Sequence, residues 1–251
     1  MTDRTWLERV AQIQGRADEP DSPIRPTEVF NEGWMLRLTL DWMAAEGRPG
    51  HPLSFAEGAR WSSEALLPSS FLQRHRGDPL AEGWTNADGC IGHYVQQRPR
   101  GDLSLLPDAT QFVVIEAKMS SSLSSGTKNA PGFDQAARNV ACIAEVLRLA
   151  SRVPDEMSSL AFLVTAPQAQ IEAGIFGDLV TERSIQGKVM ERAASYSGER
   201  DEWLHEWFEP VLESLHIELL SWESLLVGAP EALTEFYARC LTYNERQGDR
   251  S

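Results

Sequence analysis

One stretch near the middle of the chain constrains the fold most: residues 101–118, GDLSLLPDATQFVVIEAK. Its second half is rich in β-branched and aromatic residues, which is typical of a strand. Because side chains alternate between the two faces of a strand, Val114, Glu116 and Lys118 share one face. The run is apolar until its end, where Glu116 and Lys118 stand two residues apart. The pattern predicts a buried strand that carries a charged site at its C-terminal end.

The residues before this strand predict a β-hairpin. PDAT is a turn because proline presets φ and aspartate bonds to its own backbone. Folding the hairpin about this turn would place Asp102 beside Ile115 and Glu116. Two converging carboxylates suit Mg²⁺ or Mn²⁺, which prefer oxygen ligands. We therefore expect a metal site made of Asp102, Glu116 and the main-chain carbonyl of Ala117, with Lys118 orienting the attacking water or stabilising charge on a phosphate.

This spacing of charged residues resembles the motif of the PD-(D/E)XK nuclease superfamily: Asp102 is followed, after a gap of 13 residues, by Glu116-Ala117-Lys118. The resemblance implies an α/β, restriction-endonuclease-like core: a helix, a three-stranded meander, a helix and a strand, forming a central mixed sheet flanked by helices. It also implies metal-dependent hydrolysis of nucleic-acid phosphodiester bonds, in DNA rather than RNA, and a homodimer. The alternative interpretation is a surface hairpin ending in an ordinary Glu/Lys pair.

The family places an acid on its first core helix, and a helix is predicted over 28–47 after a cap at Thr27. Glu32 is our choice for that catalytic acid. Glu28 lies one turn earlier, and Glu64 lies in a second predicted helix over 54–67. Each of these acids has a simpler interpretation as a solvated helix residue.

A helix is also predicted over 133–152, and its first two turns carry Gln135 and Arg138. Gln135 is similar to a glutamine that supports the site in the RecB-like branch of the family, although Asn139 replaces the tyrosine of that branch. The Ser/Gly-rich loop after the strand contains Ser120 and Lys128. We expect Lys128, Arg138 and Ser120 to contact the nucleic acid, with a flexible linker as the alternative reading of the loop.

An earlier strand is predicted over 89–96. Asp88 at its entry is interpreted as a turn residue, with an outer-shell role at the metal site as the alternative. His93, within that strand, is interpreted as a histidine whose ring is satisfied by hydrogen bonds and not as a ligand.

The chain is expected to form a single nuclease-like domain. It would comprise an N-terminal helix and loop (1–26), the core (27–166) and a helical C-terminal extension (167–251). A buried strand over 159–166 would close the core. The extension would contain a late strand over 216–222 and a final helix over 230–243.

The charge of the chain argues against simple DNA binding. The formal net charge is −14, whereas proteins that bind phosphates usually have a basic surface. Residues 199–235 hold ten acids and one arginine, while the segment after the site is mildly basic. We expect weak intrinsic affinity for nucleic acid or help from a protein partner. The alternative function is a catalytically weak or inactive module that binds a partner through its acidic surface.

Composition gives no sign of a membrane or secreted protein. No apolar run reaches the ~18 residues of a membrane helix, and the first residues lack the apolar segment of a signal peptide. The three cysteines are widely spaced and do not suggest a disulfide framework or a zinc cluster. A cytoplasmic location without membrane contact is expected.

Overall fold

In a computed structural model, which describes residues 3–48, 50–97 and 101–248, the chain forms a mixed seven-stranded sheet flanked by helices. The expected α/β class is confirmed at this level. The ends of the predicted terminal segments, residues 1–2 and 249–251, lie outside the described residues. The strands in chain order are β1 (Arg60–Leu67), β2 (Thr85–Gly92), β3 (Tyr94–Gln97), β4 (Asp102–Leu105), β5 (Gln111–Ala117), β6 (Gly126–Thr127), β7 (Ala130–Pro131), β8 (Ser159–Ala166) and β9 (His216–Ser221).

Helices connect and cover these strands. A π-helical turn over Leu204–Phe208 joins two of them, and in the described part of the chain no helix has the length and apolar character needed to cross a membrane. The α-helices are α1 (Asp3–Gln14), α2 (Glu32–Glu46), α3 (Gln135–Leu149), α4 (Gln168–Glu172), α5 (Glu182–Ala194), α6 (Asp201–Trp203), α7 (Glu209–Ser214), α8 (Trp222–Leu225) and α9 (Glu231–Gly248).

The strand order of the large sheet is β3-β4-β1-β2-β5-β8-β9. Strands β1, β2 and β5 pair antiparallel in succession. Strands β8 and β9 then continue the sheet parallel to β5. The pair β6–β7 forms a separate small sheet. The predicted strands over 159–166 and 216–222 and the helix over 133–152 are confirmed as β8, β9 and α3.

The predicted hairpin between residues 101 and 118 is wrong in its pairing. Both strands exist, but β4 pairs with β3 and with β1, whereas β5 pairs with β2 and β8. Two strands therefore lie between β4 and β5, which separates them by roughly 14 Å. The reason is that β4 forms an antiparallel hairpin with β3, in which Tyr94 pairs with Leu105. This hairpin pairs with the edge of β1 that β2 does not occupy.

Two apolar layers cover the two faces of the sheet. On one face, α3 packs with α5 and the π-helical turn over residues that include Ala87, Cys90, Phe112, Val114 and Phe162. On the other face, α2, α8 and α9 pack over residues that include Ile91, Val113, Ile115, Ala117 and Leu163. Since β5 is buried along its whole length, any charged side chain that it carries must find partners inside the protein.

Two helix predictions need correction. Helix α2 begins at Glu32 because the Asn31 side chain, and not Thr27, accepts the capping hydrogen bond from the backbone N–H of Trp34 at 3.0 Å. It ends as predicted at Gly47, which has φ +57°. The predicted helix over 54–67 is wrong, because its second half is β1. Pairing of seven of its residues with β2 outweighs the helical pattern of that segment.

The predicted strand over 89–96 is divided into β2 and β3 at Gly92 and His93. Gly92 has φ +154°, and a Cβ there would lie 2.3 Å from the carbonyl oxygen of Gln111. His93 is satisfied as predicted: its Nε2 bonds the carbonyl of Glu57 at 3.0 Å, and its Nδ1 accepts from the backbone N–H of Thr110 at 3.2 Å. The bend thus fixes the beginning of β5 against the end of β2.

We predict that Gly92→Ala destabilises the protein more than Gly101→Ala. Both glycines have positive φ, which costs an alanine about 1–2 kcal/mol. Nothing lies within 4 Å of a Cβ at Gly101, so only Gly92→Ala adds an overpacking cost of roughly 1–3 kcal/mol. Urea denaturation of both variants measures the difference in unfolding free energy. Equal losses of unfolding free energy in the two variants would contradict the prediction, because they would show that the backbone accommodates a methyl group at Gly92 without extra cost.

Candidate carboxylate and lysine site

Glu116 is the centre of the site. It lies near the end of β5 with no exposed surface, on the face that is covered by α3. Its Oε1 accepts hydrogen bonds from Lys118 Nζ at 2.5 Å and from the Gln135 amide, and its Oε2 accepts from Asn139 Nδ2 at 3.2 Å. Gln135 and Asn139 are four residues apart, on consecutive turns of α3, so one helix holds both oxygens.

Asp88 is the second carboxylate. The antiparallel ladder of β2 and β5 ends at the pair Gly89–Ile115, and Asp88 is the residue directly beyond it. Its Oδ2 accepts the backbone N–H of Ala117 at 2.8 Å. The negative charge of Asp88 also contributes to raising the pKa of Glu116. The two carboxylates are therefore neighbours across adjacent strands.

Asp102 does not join this pair. The expectation that it lies beside Glu116 is wrong, because Asp102 pairs with Leu66 of β1 and with Gln97 of β3. Two strands stand between it and β5. Asp88 occupies the position next to Glu116 that we had expected for Asp102.

Both backbone polar groups of Lys118 are hydrogen-bonded. Its N–H donates to the carbonyl of Thr165 at 2.8 Å, and its carbonyl accepts the indole N–H of Trp222 at 2.9 Å. The residue is only 8% exposed. Its ammonium group is consequently held against Glu116, within reach of any ligand that approaches the two carboxylates.

The three acids predicted to lie on helices have different surroundings. Glu32 is in the first turn of α2, where its charge helps burial to raise the pKa of Cys240 to about 12. Glu28 is exposed in a short 3₁₀ turn. Glu64 lies on β1 with φ +52°, and its carboxylate is 3.5 Å from the Arg37 guanidinium.

Helix α2 covers the face of the sheet opposite to the Glu116 side chain, because it packs over Ile115 and Ala117 while Glu116 bonds to α3. Leu36, one turn after Glu32, packs on Gly89, where a Cβ would lie 2.9 Å from its side chain.

The three predicted nucleic-acid contacts have different surroundings. Ser120 and Lys128 are exposed, on the loop after β5 and between β6 and β7. The Arg138 side chain is largely buried, with its guanidinium 3.4 Å from the Thr85 hydroxyl and 3.9 Å from the Glu82 carboxylate. Arg138 thus contacts other parts of the protein in this structure.

The sequence analysis gave Asp88 a role at the metal site only as an alternative, and it gave Asn139 none. Asp88 was assigned to a turn because the predicted strand began one residue later. Extending that strand backward through 85–88 would have placed the acid on the sheet. Asn139 entered the sequence analysis only because it replaces the tyrosine of the RecB-like branch. No local sequence signal showed that its amide reaches Glu116.

The donor set fits a divalent cation better than a soft metal. Asp88 and Glu116 supply carboxylate oxygens, which are preferred by Mg²⁺ and Mn²⁺. No cluster of three or more His, Cys, Asp or Glu side chains arranged to hold a metal occurs within residues 3–48, 50–97 and 101–248. A cation here would keep several water ligands, which Mg²⁺ normally does.

Comparison with known proteins assigns no family to this chain. No family model matches it, and neither the curated proteins nor the solved structures contain a significant match. The geometry around Glu116 is therefore the basis for any functional proposal.

The surroundings of Glu116 alter its titration. Burial, followed by the negative charge of Asp88, raises the pKa of Glu116 to about 8, against the opposing charge of Lys118. Because the folded pKa exceeds the ordinary value of 4.5, the contribution of Glu116 to stability is fully present below pH 4.5 and is lost as the pH rises through about 8. Without a bound cation, ionisation of Glu116 therefore makes the fold less stable at alkaline pH than at acidic pH.

We predict that Glu116→Gln is more stabilising at pH 8.5 than at pH 5, because glutamine resembles the protonated acid. The difference between the two pH values should be on the order of a few kcal/mol. Denaturant titrations with a chelator present, for wild type and variant at both pH values, measure it. Glu64→Gln is the control, since that side chain is mostly exposed and should change stability equally at both. An equal effect of Glu116→Gln at both pH values would contradict the prediction.

Proposed function

We propose that this protein is a Mg²⁺- or Mn²⁺-dependent nuclease that hydrolyses phosphodiester bonds, with DNA as the preferred substrate. The observation that carries the proposal is the meeting of Asp88, Glu116 and Lys118 at one end of adjacent strands. Two carboxylates and an ammonium group that lie together and are largely buried are a costly arrangement for a purely structural site.

The order of elements supports the same proposal. Helix α2 is followed by the antiparallel strands β1, β2 and β5, then by α3 and β8. This resembles the restriction-endonuclease-like core, with β3–β4 as an insertion between the second and third core strands. Asp88 on the second strand and Glu116-Ala117-Lys118 on the third then take the places of the superfamily's acid and its Glu-x-Lys.

Asp88 and Glu116 would hold the cation, which supplies Lewis-acid polarisation of the phosphate and a bound water of lowered pKa. Gln135 and Asn139 fix the Glu116 carboxylate so that it does not rotate when the substrate arrives. Lys118 presents an ammonium group that can orient the attacking water or neutralise charge that develops on the phosphate. Glu32 and the carbonyl of Ala117 remain candidates for completing the site.

Substrate contacts would come from the loop that follows Lys118. Ser120 and Lys128 are exposed on this loop, and hydroxyl and ammonium groups both donate to phosphates. Arg138 would act indirectly, by holding the segment around Glu82 and Thr85 beside α3. A net charge of −14 keeps the intrinsic affinity for a polyanion low.

We predict that Asp88→Asn abolishes Mn²⁺ binding and lowers DNA cleavage by roughly 100-fold or more, whereas Asp102→Asn changes neither. The reason is that Asp88 faces Glu116 and Asp102 lies two strands away. Calorimetric titration with Mn²⁺, followed by assays on plasmid and single-stranded DNA, measures both effects.

Asp102→Asn is the matched control, because it makes the same chemical change at the acid that the sequence pattern favoured. Loss of metal binding in Asp102→Asn with full binding in Asp88→Asn would overturn the assignment of the ligands. An absence of metal binding in the wild type would overturn the proposed function.

A second candidate is a module that binds a basic protein partner and has little catalytic activity. The observation that favours it is an exposed acidic segment around the start of α6, formed by Glu199, Asp201, Glu202 and Glu206. Such a surface attracts a positively charged partner. Metal binding at Asp88 and Glu116 distinguishes the two candidates, since the binding module does not require it.

A further inference from the structure

The three donors to Glu116 are unevenly distributed between its two oxygens. Lys118 and Gln135 both donate to Oε1, whereas Oε2 accepts from Asn139 among the described side chains. A carboxylate has about four lone-pair positions, two on each oxygen. Oε1 therefore has both of its positions filled, and Oε2 has one left for another partner.

The filled oxygen restricts how Glu116 can bind a cation. Bidentate coordination needs a free lone pair on each oxygen, and Oε1 has none while Lys118 and Gln135 hold it. The restriction is rigid, because Gln135 belongs to the first turn of α3 and its side-chain oxygen Oε1 accepts the backbone N–H of Ser124 at 3.2 Å. Glu116 is thus a one-point ligand through Oε2.

One-point coordination discriminates between hard cations. Mg²⁺ requires a near-octahedral shell and retains waters, so single contacts from each carboxylate suit it, and Mn²⁺ accepts the same oxygen geometry. Ca²⁺ takes roughly six to eight oxygen ligands at longer distances, and often binds a carboxylate through both oxygens. A site that prevents the bidentate mode therefore disfavours Ca²⁺.

We propose that Gln135 is a specificity-determining residue: by filling the second position on Oε1 of Glu116, it makes the site select Mg²⁺ or Mn²⁺ against Ca²⁺. The inference rests on the proposed metal-dependent function and extends it to the choice of cation. It assigns different roles to the two amides of α3. Gln135 governs selectivity, and Asn139 orients Oε2 without governing selectivity.

The test compares Gln135→Met with Asn139→Leu, each of which removes one amide donor from the same carboxylate. Gln135→Met opens Oε1 and permits bidentate binding, whereas Asn139→Leu frees a second position on Oε2 and leaves Oε1 filled. Calorimetric titrations with Mn²⁺ and with Ca²⁺ give the ratio of the two dissociation constants. We expect Gln135→Met to shift this ratio toward Ca²⁺ by roughly tenfold or more, and Asn139→Leu to leave it within a factor of about two of wild type.

The outcomes separate the inference from the function on which it rests. Wild-type binding of Mn²⁺ with an unchanged ratio in Gln135→Met, or an equal shift in Asn139→Leu, would overturn the role of Gln135 and leave the nuclease proposal intact. An absence of Mn²⁺ binding in the wild type overturns both. Gln135→Ala is a second variant for the case in which the methionine side chain still covers Oε1 of Glu116, and thermal unfolding confirms that each variant is folded.

Discussion

The burial of the Glu116 carboxylate at the end of β5 is the constraint on which the site depends. An acid with no exposed surface must be surrounded by donors or be protonated, and both effects are present here. Lys118, Gln135 and Asn139 supply donors, while burial and Asp88 raise the pKa of Glu116 to about 8. The neighbouring elements are arranged to make these contacts: α3 begins where its amides reach β5, and Trp222 of α8 fixes the backbone of Lys118.

Two close approaches between elements maintain this arrangement. Gly89 lets the Leu36 side chain of α2 contact β2 at a distance that a Cβ would obstruct, so the strand carrying Asp88 lies directly under the helix. Gly92 lets the end of β2 approach the backbone of Gln111, which sets the register between β2 and β5. Because Asp88 adjoins this paired segment and bonds to the backbone of Ala117, these glycines act on the site through the position of a whole strand.

Local patterns in the sequence predicted which segments form strands and helices better than they predicted which strands pair. The apolar run of β8, the helical period of α3 and the charged end of β5 are properties of contiguous residues, and each prediction was confirmed. The prediction that Asp102 lies beside Glu116 was wrong because strand pairing is non-local. The PDAT turn suggested that β4 pairs with β5, whereas β4 pairs with β3 and with the edge of β1. The helix predicted over 54–67 failed for the same reason, since pairing with β2 overrides the propensity of β1. Asp88 and Asn139 could be found only once the register and the position of α3 were known.

The distribution of positive charge also bears on how a polyanion would bind. Many cations near the α3 face already have acidic partners: Lys188 pairs with Asp134, Arg192 with Glu82, and Arg148 with Glu145. These pairs stabilise the packing of α3 and α5 but contribute little net field toward a phosphate backbone. Affinity at the site would then depend on Lys118, on donors of the loop after β5 and on a cation between Asp88 and Glu116. In the proposed nuclease, such a site would recognise the phosphate at the reacting centre more than the length of the strand, which agrees with a net charge of −14.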